Sequence, residues 1–283
     1  RGNAQLVCGF VGQLVSLLNS QRTEVQAAAA TVVSDLSTRS ELCPHLAEAG
    51  ALAPVVALLG RGNAQLVERG MKALSCLVSI PSVAQELQRS GRLEVLVPLL
   101  SSGSSTTQLN AALAVGTVVS HVGERARFLR NGAVERLAVM LTAGNMRHDG
   151  ILYALGELSE DATVCGALSS PHAPWSDARR WLVQRVQASN SDLDLRRRCA
   201  FVMRRMAYGR PIEVKHSMLR DGAMAASMGL LQHEEDATLC ADLSFILYEL
   251  GSSPEGMEQV CTQETVSTLV RLSQHSHEPT RAC

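Results

Sequence analysis

Glycine recurs in this chain at a fixed interval, and that interval limits the possible folds more than any other feature. Gly9, Gly50, Gly91 and Gly132 stand 41 residues apart, each followed eight and nine residues later by an apolar pair: Leu17 and Leu18, Leu58 and Leu59, Leu99 and Leu100, Met140 and Leu141. Gly222 lies 90 residues beyond Gly132, close to two further periods, and Leu230 and Leu231 keep the same offset. A last copy, Thr265 to Gln274 with Leu269 and Leu272, lacks the glycine. The identical strings Arg1 to Val7 and Arg61 to Val67 are 60 residues apart, out of phase with the period, and are not counted as a repeat. Short units repeated in register along 283 residues need no single core, because each copy buries its apolar face against the next.

Within each unit the apolar spacing is helical, with turn residues at two places, which predicts a short, a medium and a long helix. In Thr23 to Ser37 the residues Val25, Ala28, Ala29, Val32, Val33 and Leu36 make one stripe; Leu239, Leu243, Ile246, Leu247 and Leu250 make another. Burying each Leu or Val contributes about 1.5–3 kcal/mol, so these stripes drive the copies to stack. The glycine fits a left-handed turn between the first and second helices, where a Cβ would be penalised.

Composition agrees with packed helices. Apolar residues make up 46% of the chain but aromatics only 3%, so the core is built from Leu, Val and Ala. A net charge of -1 excludes a globally basic nucleic-acid binder. The eight cysteines are scattered, without C-x-x-C pairs or zinc-ligand spacing, which predicts buried free thiols and a reducing compartment, cytoplasmic or nuclear. No basic-then-apolar leader and no membrane span are read in the sequence; the longest uncharged stretch, Val95 to Gly123, is broken by Ser101 to Gln108. Neither end carries the polar capping repeat that a solenoid needs, so the chain is expected to be part of a longer protein.

The segment EAGALAPVVALLGRGNAQLVERGMKALSCLVS, Glu48 to Ser79, resembles the armadillo repeat, a three-helix unit of this length, and the resemblance extends over essentially the whole chain. It implies an all-α, right-handed solenoid of about six and a half repeats, at about 1–38, 39–79, 80–120, 121–160, 161–208, 209–251 and a truncated 252–283. HEAT repeats are the nearest rival, but they have two helices and no need of this glycine. Unit 161–208 is irregular, because Pro171 and Pro174 require a loop of roughly Ser169 to Pro174. Charge changes sign there: residues 175–220 hold 11 basic and 4 acidic side chains, residues 221–283 hold 2 and 10. These units either neutralise each other or form a bipolar docking surface.

In armadillo proteins the long third helices line a groove, and in the importin-α type a Trp and an Asn four residues later repeat along it. The corresponding pairs here are Thr31 and Asp35, Lys72 and Cys76, Leu113 and Thr117, Tyr153 and Glu157, Phe201 and Arg205, Phe245 and Glu249. None is Trp with Asn, which disfavours an import adaptor of that type. What stands in their place is an aromatic trio, Tyr153, Phe201 and Phe245, in three consecutive units. With Glu157, Arg198, Arg205 and Glu249 it forms the candidate surface for a partner peptide or helix, aromatics and Arg being the residues that dominate interface energy. The competing reading is inter-repeat packing, with Glu157, Arg205 and Glu249 pairing among themselves.

Arg196, Arg197, Arg198, Arg204 and Arg205 crowd one helix with Phe201 and Tyr208, a pattern that could stack bases and hold phosphates. Only one unit is basic and its neighbour is acidic, so nucleic acid is disfavoured. No phosphate-binding glycine loop, nucleophile elbow or H-E-x-x-H occurs, the histidines are dispersed, and His275 and His277 near Cys283 make a weak metal signal; neither enzyme, metal nor cofactor is predicted. The expectation is a protein-interaction scaffold. The resemblance leaves two alternatives: the substrate-binding part of a U-box ubiquitin ligase, or an Hsp70 nucleotide-exchange or other chaperone regulator. The sequence sets no oligomeric state.

Overall fold

The structure, a computed structural model, describes residues 2–60, 62–143, 147–172, 174–188 and 192–260. It is all-α, with no strand among the described residues. The chain forms two compact units, Arg1–Ala133 and Val134–Cys283. The first contains α1 (Gly2–Leu17), α2 (Thr23–Ser37), α3 (Cys43–Glu48), α4 (Leu52–Leu59), α5 (Ala64–Leu77), α6 (Pro81–Arg89), a 3-10 turn (Arg92–Val95) leading into α7 (Leu96–Leu99), α8 (Ser105–Val122) and α9 (Arg125–Arg130). From the boundary onward follow α10 (Ala133–Thr142), α11 (Asp149–Leu158), α12 (Ala162–Leu168), α13 (Trp175–Gln187), α14 (Leu193–Ala207), α15 (Ile212–Arg220), α16 (Ala223–Leu231), α17 (Ala237–Gly251) and α18 (Pro254–Val260). The expected copy at Thr265 to Gln274, with Cys261, His275, His277 and Cys283, lies outside the described residues.

The turn predicted at the repeating glycine is present at four of its five positions. Gly50, Gly91, Gly132 and Gly222 have φ of 74°, 72°, 74° and 86°, and each separates a first helix from a second. This is the left-handed region, which glycine enters without a Cβ penalty. Gly9 is the exception: it lies inside α1, which runs unbroken from Gly2 to Leu17. Gly9 sits between Cys8 and Phe10 ahead of buried Val11, and the helix runs through this apolar stretch.

Three of the third helices, α5, α8 and α17, begin at side-chain caps. Asn63 accepts from the amides of Gln65 and Leu66 at the start of α5, Ser104 from Thr107 at α8, and Asp236 from Leu239 at α17. Each cap satisfies amides that the helix leaves without a partner. Within the first unit α2 packs on α5 and α5 on α8; within the second, α11 packs on α14, α14 on α17 and α13 on α16. Equivalent helices of successive repeats therefore lie side by side, as stacking requires. The stripe on α17 is buried as expected, from Leu239 through Leu250. On α2 the buried face is turned from the expected one: Val32 is 39% exposed and Ala28 is exposed, while Gln26, Ala29, Ala30, Val33, Ser34 and Ser37 are buried. The buried Gln26 amide donates to Leu18 O at 2.6 Å, which fixes that rotation where apolar spacing alone had pointed one position away.

The predicted loop before α13 is there, and charge holds it. Arg179 is buried, pairs through Nε with Asp221 Oδ2 at 2.5 Å, and donates from Nη1 to Ser170 O at 2.9 Å. One guanidinium thus ties the loop to the turn between α15 and α16.

Candidate functional site

α14 carries the basic cluster, and α17 with the turn ahead of it carries the acidic one. Packed side by side, they answer each other: Arg196 pairs with Glu234 at 2.8 Å, Arg197 with Asp236 at 2.5 Å, and Arg204 with Asp242 at 2.7 Å. Lys215 on α15 pairs with Glu249 at 3.0 Å. Of the two readings of the charge reversal, the geometry favours mutual neutralisation. Asp242 is buried deeply enough that desolvation pushes its carboxyl up despite Arg204. Asp236 is held below the ordinary range, chiefly by its hydrogen bond from Arg197. Arg198 pairs with Asp194 at 2.8 Å and Asp149 at 3.6 Å, and Arg205 with Glu157 and Glu160. All five arginines considered for phosphate contact therefore already hold carboxylates.

The aromatic residues of α14, α17 and the turn after α14 fall into two groups. Gly156 on α11 lets Phe201 of α14 come close, since a Cβ there would stand 3.3 Å from the ring. Arg205 lies over that ring at 4.6 Å and reaches Glu157 at 3.5 Å. Phe245 of α17 meets Tyr208 with ring centres 5.6 Å apart and Tyr248 at 6.4 Å, while Arg204 lies 5.3 Å over its face. Arg–aromatic stacking of this kind is worth about 0.5–1 kcal/mol at exposed sites.

Between the two groups opens a cleft of about 560 Å³ lined by Glu160, Phe201, Arg204, Arg205, Tyr208, Arg210 and Phe245. The end of α14 shapes it: Tyr208 leaves the helix at ψ 115°, Gly209 turns the chain at φ 58°, and Pro211 precedes α15. That turn puts Tyr208, 63% exposed, beside Phe245 and brings Arg210 Nη2 within 2.7 Å of Ser159 O. Of the residues predicted from sequence, Phe201, Arg205 and Phe245 come together here. Tyr153 is half-buried on α11 and is not among the lining residues. Glu157 supports Arg205 from α11; Arg198 turns to Asp194 and Asp149. Glu249 is buried against Lys215 rather than pairing with Arg205 as the packing alternative supposed. Tyr208 and Arg204 were read in the sequence only as part of a nucleic-acid pattern, and Glu160, Arg210 and Tyr248 were missed. Tyr208 falls seven residues after Phe201, one position beyond the end of α14.

Burial pushes the thiols of Cys43 and Cys165 up to about 11 and that of Cys199 to about 12, which leaves them protonated and unreactive at neutral pH. No group of three or more His, Cys, Asp or Glu placed to hold a metal occurs among the described residues. Nor is any helix among them long and apolar enough to cross a membrane.

A scan of protein-family models and a search of curated proteins found no match to this chain. Solved structures do match its fold. An engineered protein aligns with 96% of this chain and 65% of its own at a TM-score of 0.82 and 24% identity. A designed armadillo repeat protein aligns with 85% of this chain and 99% of its own, at 0.72 and 21%. Another designed armadillo repeat protein, in complex with the peptide (KR)4, gives 85%, 99%, 0.69 and 21%. The fold is an all-α solenoid of armadillo-like repeats.

Proposed function

We propose that the chain is a protein-interaction scaffold that holds a partner peptide or helix in the cleft of α14 and α17. One observation carries this reading: large rings of α17 and of the turn after α14 are left uncovered beside an open cleft. Tyr208, 63% exposed, lines the cleft with half-buried Phe201 and Phe245, and Tyr248, 65% exposed, stands against Phe245. Exposed aromatics clustered with arginine are the composition of interface hot spots, whereas aromatics make up only 3% of this chain. The complex of a designed armadillo repeat protein with a peptide supports the same reading by analogy of fold. A scaffold of this kind needs no catalytic group. Its free cysteines Cys43, Cys76, Cys165 and Cys199 suit a reducing compartment, cytoplasmic or nuclear.

Selection from a displayed peptide library tests the reading, run beside a Tyr208→Ser, Phe245→Ala variant whose far-UV circular dichroism matches the parent. Peptides enriched on the parent should lose about tenfold or more in affinity on the variant. Enrichment of the same peptides on both proteins would show that the cleft is not the working surface.

A further inference from the structure

The cleft is lined by three cations and one anion: Arg204, Arg205 and Arg210 against Glu160. Two of the cations are answered from within the chain, Arg204 by Asp242 and Arg205 by Glu157 and Glu160. Arg210 is different. Its Nη2 donates to the backbone oxygen of Ser159, a neutral acceptor, and among the described residues no carboxylate pairs with it. Its Nε is buried without a hydrogen-bond partner. A guanidinium in that condition is fixed in direction but not compensated in charge, which makes it a donor for an incoming carboxylate. Tyr208 stands two residues away, largely exposed, with Phe245 against it.

From this we infer that the cleft selects an acidic peptide, one in which an Asp or Glu carboxylate pairs with Arg210 while a neighbouring large apolar side chain lies against Tyr208 and Phe245. The inference rests on the peptide-binding reading above and adds the chemistry of the partner. A single uncompensated cation beside rings suits one carboxylate next to one apolar group. A nucleic acid strand gains affinity by neutralising a series of phosphates, and the series of arginines on α14 is already occupied by Glu234, Asp236 and Asp242.

The test uses the whole chain and three sets of dye-labelled synthetic ten-residue peptides: one mixing Asp and Glu with Leu and Phe, one with Asn and Gln in place of the acids, and one with Lys in their place. Binding is followed by fluorescence anisotropy against the parent, Arg210→Gln and Tyr208→Ser. The acidic set should bind the parent at least about tenfold more tightly than the amide set. Arg210→Gln should remove that preference, and Tyr208→Ser should weaken both sets. If the amide or Lys set binds as well as the acidic one and Tyr208→Ser weakens it, the acidic preference is wrong while the peptide cleft stands. If no set binds, both are wrong. Displacement of the acidic set by an oligothymidylate, lost with Arg210→Gln, would assign the cleft to nucleic acid and overturn the inference.

Discussion

Replacing Arg179 by Met should destabilise the second compact unit by about 3 kcal/mol. Arg179 and Asp221 are each about 5% exposed at their side chains, with Nε and Oδ2 2.5 Å apart. Removing one member of a buried pair costs about 3–5 kcal/mol, because the other charge stays out of water without its partner. The hydrogen bond to Ser170 O adds about 1 kcal/mol. Against this, Arg180 Nε stands 3.4 Å from the other Asp221 oxygen, and its 59% exposure makes it a partial substitute that offsets some of the loss. A net figure near 3 kcal/mol follows. The assay is convenient, because both tryptophans of the chain, Trp175 and Trp181, lie on α13 with Arg179 and are buried. Urea unfolding followed by tryptophan fluorescence therefore reports on this helix. The double variant Arg179→Met, Asp221→Leu should recover most of the stability, since an apolar pair replaces an ionic one. An Arg179→Met midpoint equal to that of the parent would refute the view that charge pins this loop.

Three other outcomes follow from the geometry. Gly222→Ala should cost about 1–2 kcal/mol, because φ is 86° and a Cβ there meets no atom within 4 Å, so the loss is backbone strain alone; Gly9→Ala, in the middle of α1, should be neutral or stabilise by up to about 1 kcal/mol, and urea midpoints of the two variants compare them. Iodoacetamide at pH 8 should leave Cys43, Cys165 and Cys199 unmodified in the folded protein and label all three in urea, as read by mass spectrometry of the peptides. Asp236 has a folded pKa below its ordinary 3.8, so its contribution is full above that value and is lost as pH falls through the lower folded one; the stability difference between the parent and Asp236→Asn should shrink on acidification below pH 3.8, and a difference that does not change with pH would contradict this.

Much of the fold was legible because glycine at φ above 70° leaves a mark in sequence that few other residues can replace. The glycine period located the turns at Gly50, Gly91, Gly132 and Gly222, and the prolines located the loop before α13. Gly9 shows the limit of that signal: glycine is also tolerated within a helix, and its place in the period does not distinguish the two cases. The rotation of α2 was hidden for a related reason. Apolar spacing does not anticipate a buried amide such as Gln26, whose place depends on the carbonyl of Leu18. At the site, Phe201, Arg205 and Phe245 were found by counting from the end of each third helix. Arg210 and Glu160 were not, because they lie in turns where no periodicity reaches. Nor could the sequence pair Arg196, Arg197 and Arg204 with carboxylates about 38 residues further on, although the opposite net charges of the two segments pointed to it.

Hydrogen exchange of the chain with and without a library-selected peptide tests the central claim most directly. Binding in the cleft should slow exchange in the second half of α14, in the turn that follows it and around Phe245 on α17, leaving α1 to α9 unchanged. Protection confined to other helices, with 201–210 and 241–249 exchanging as in the free chain, would contradict it.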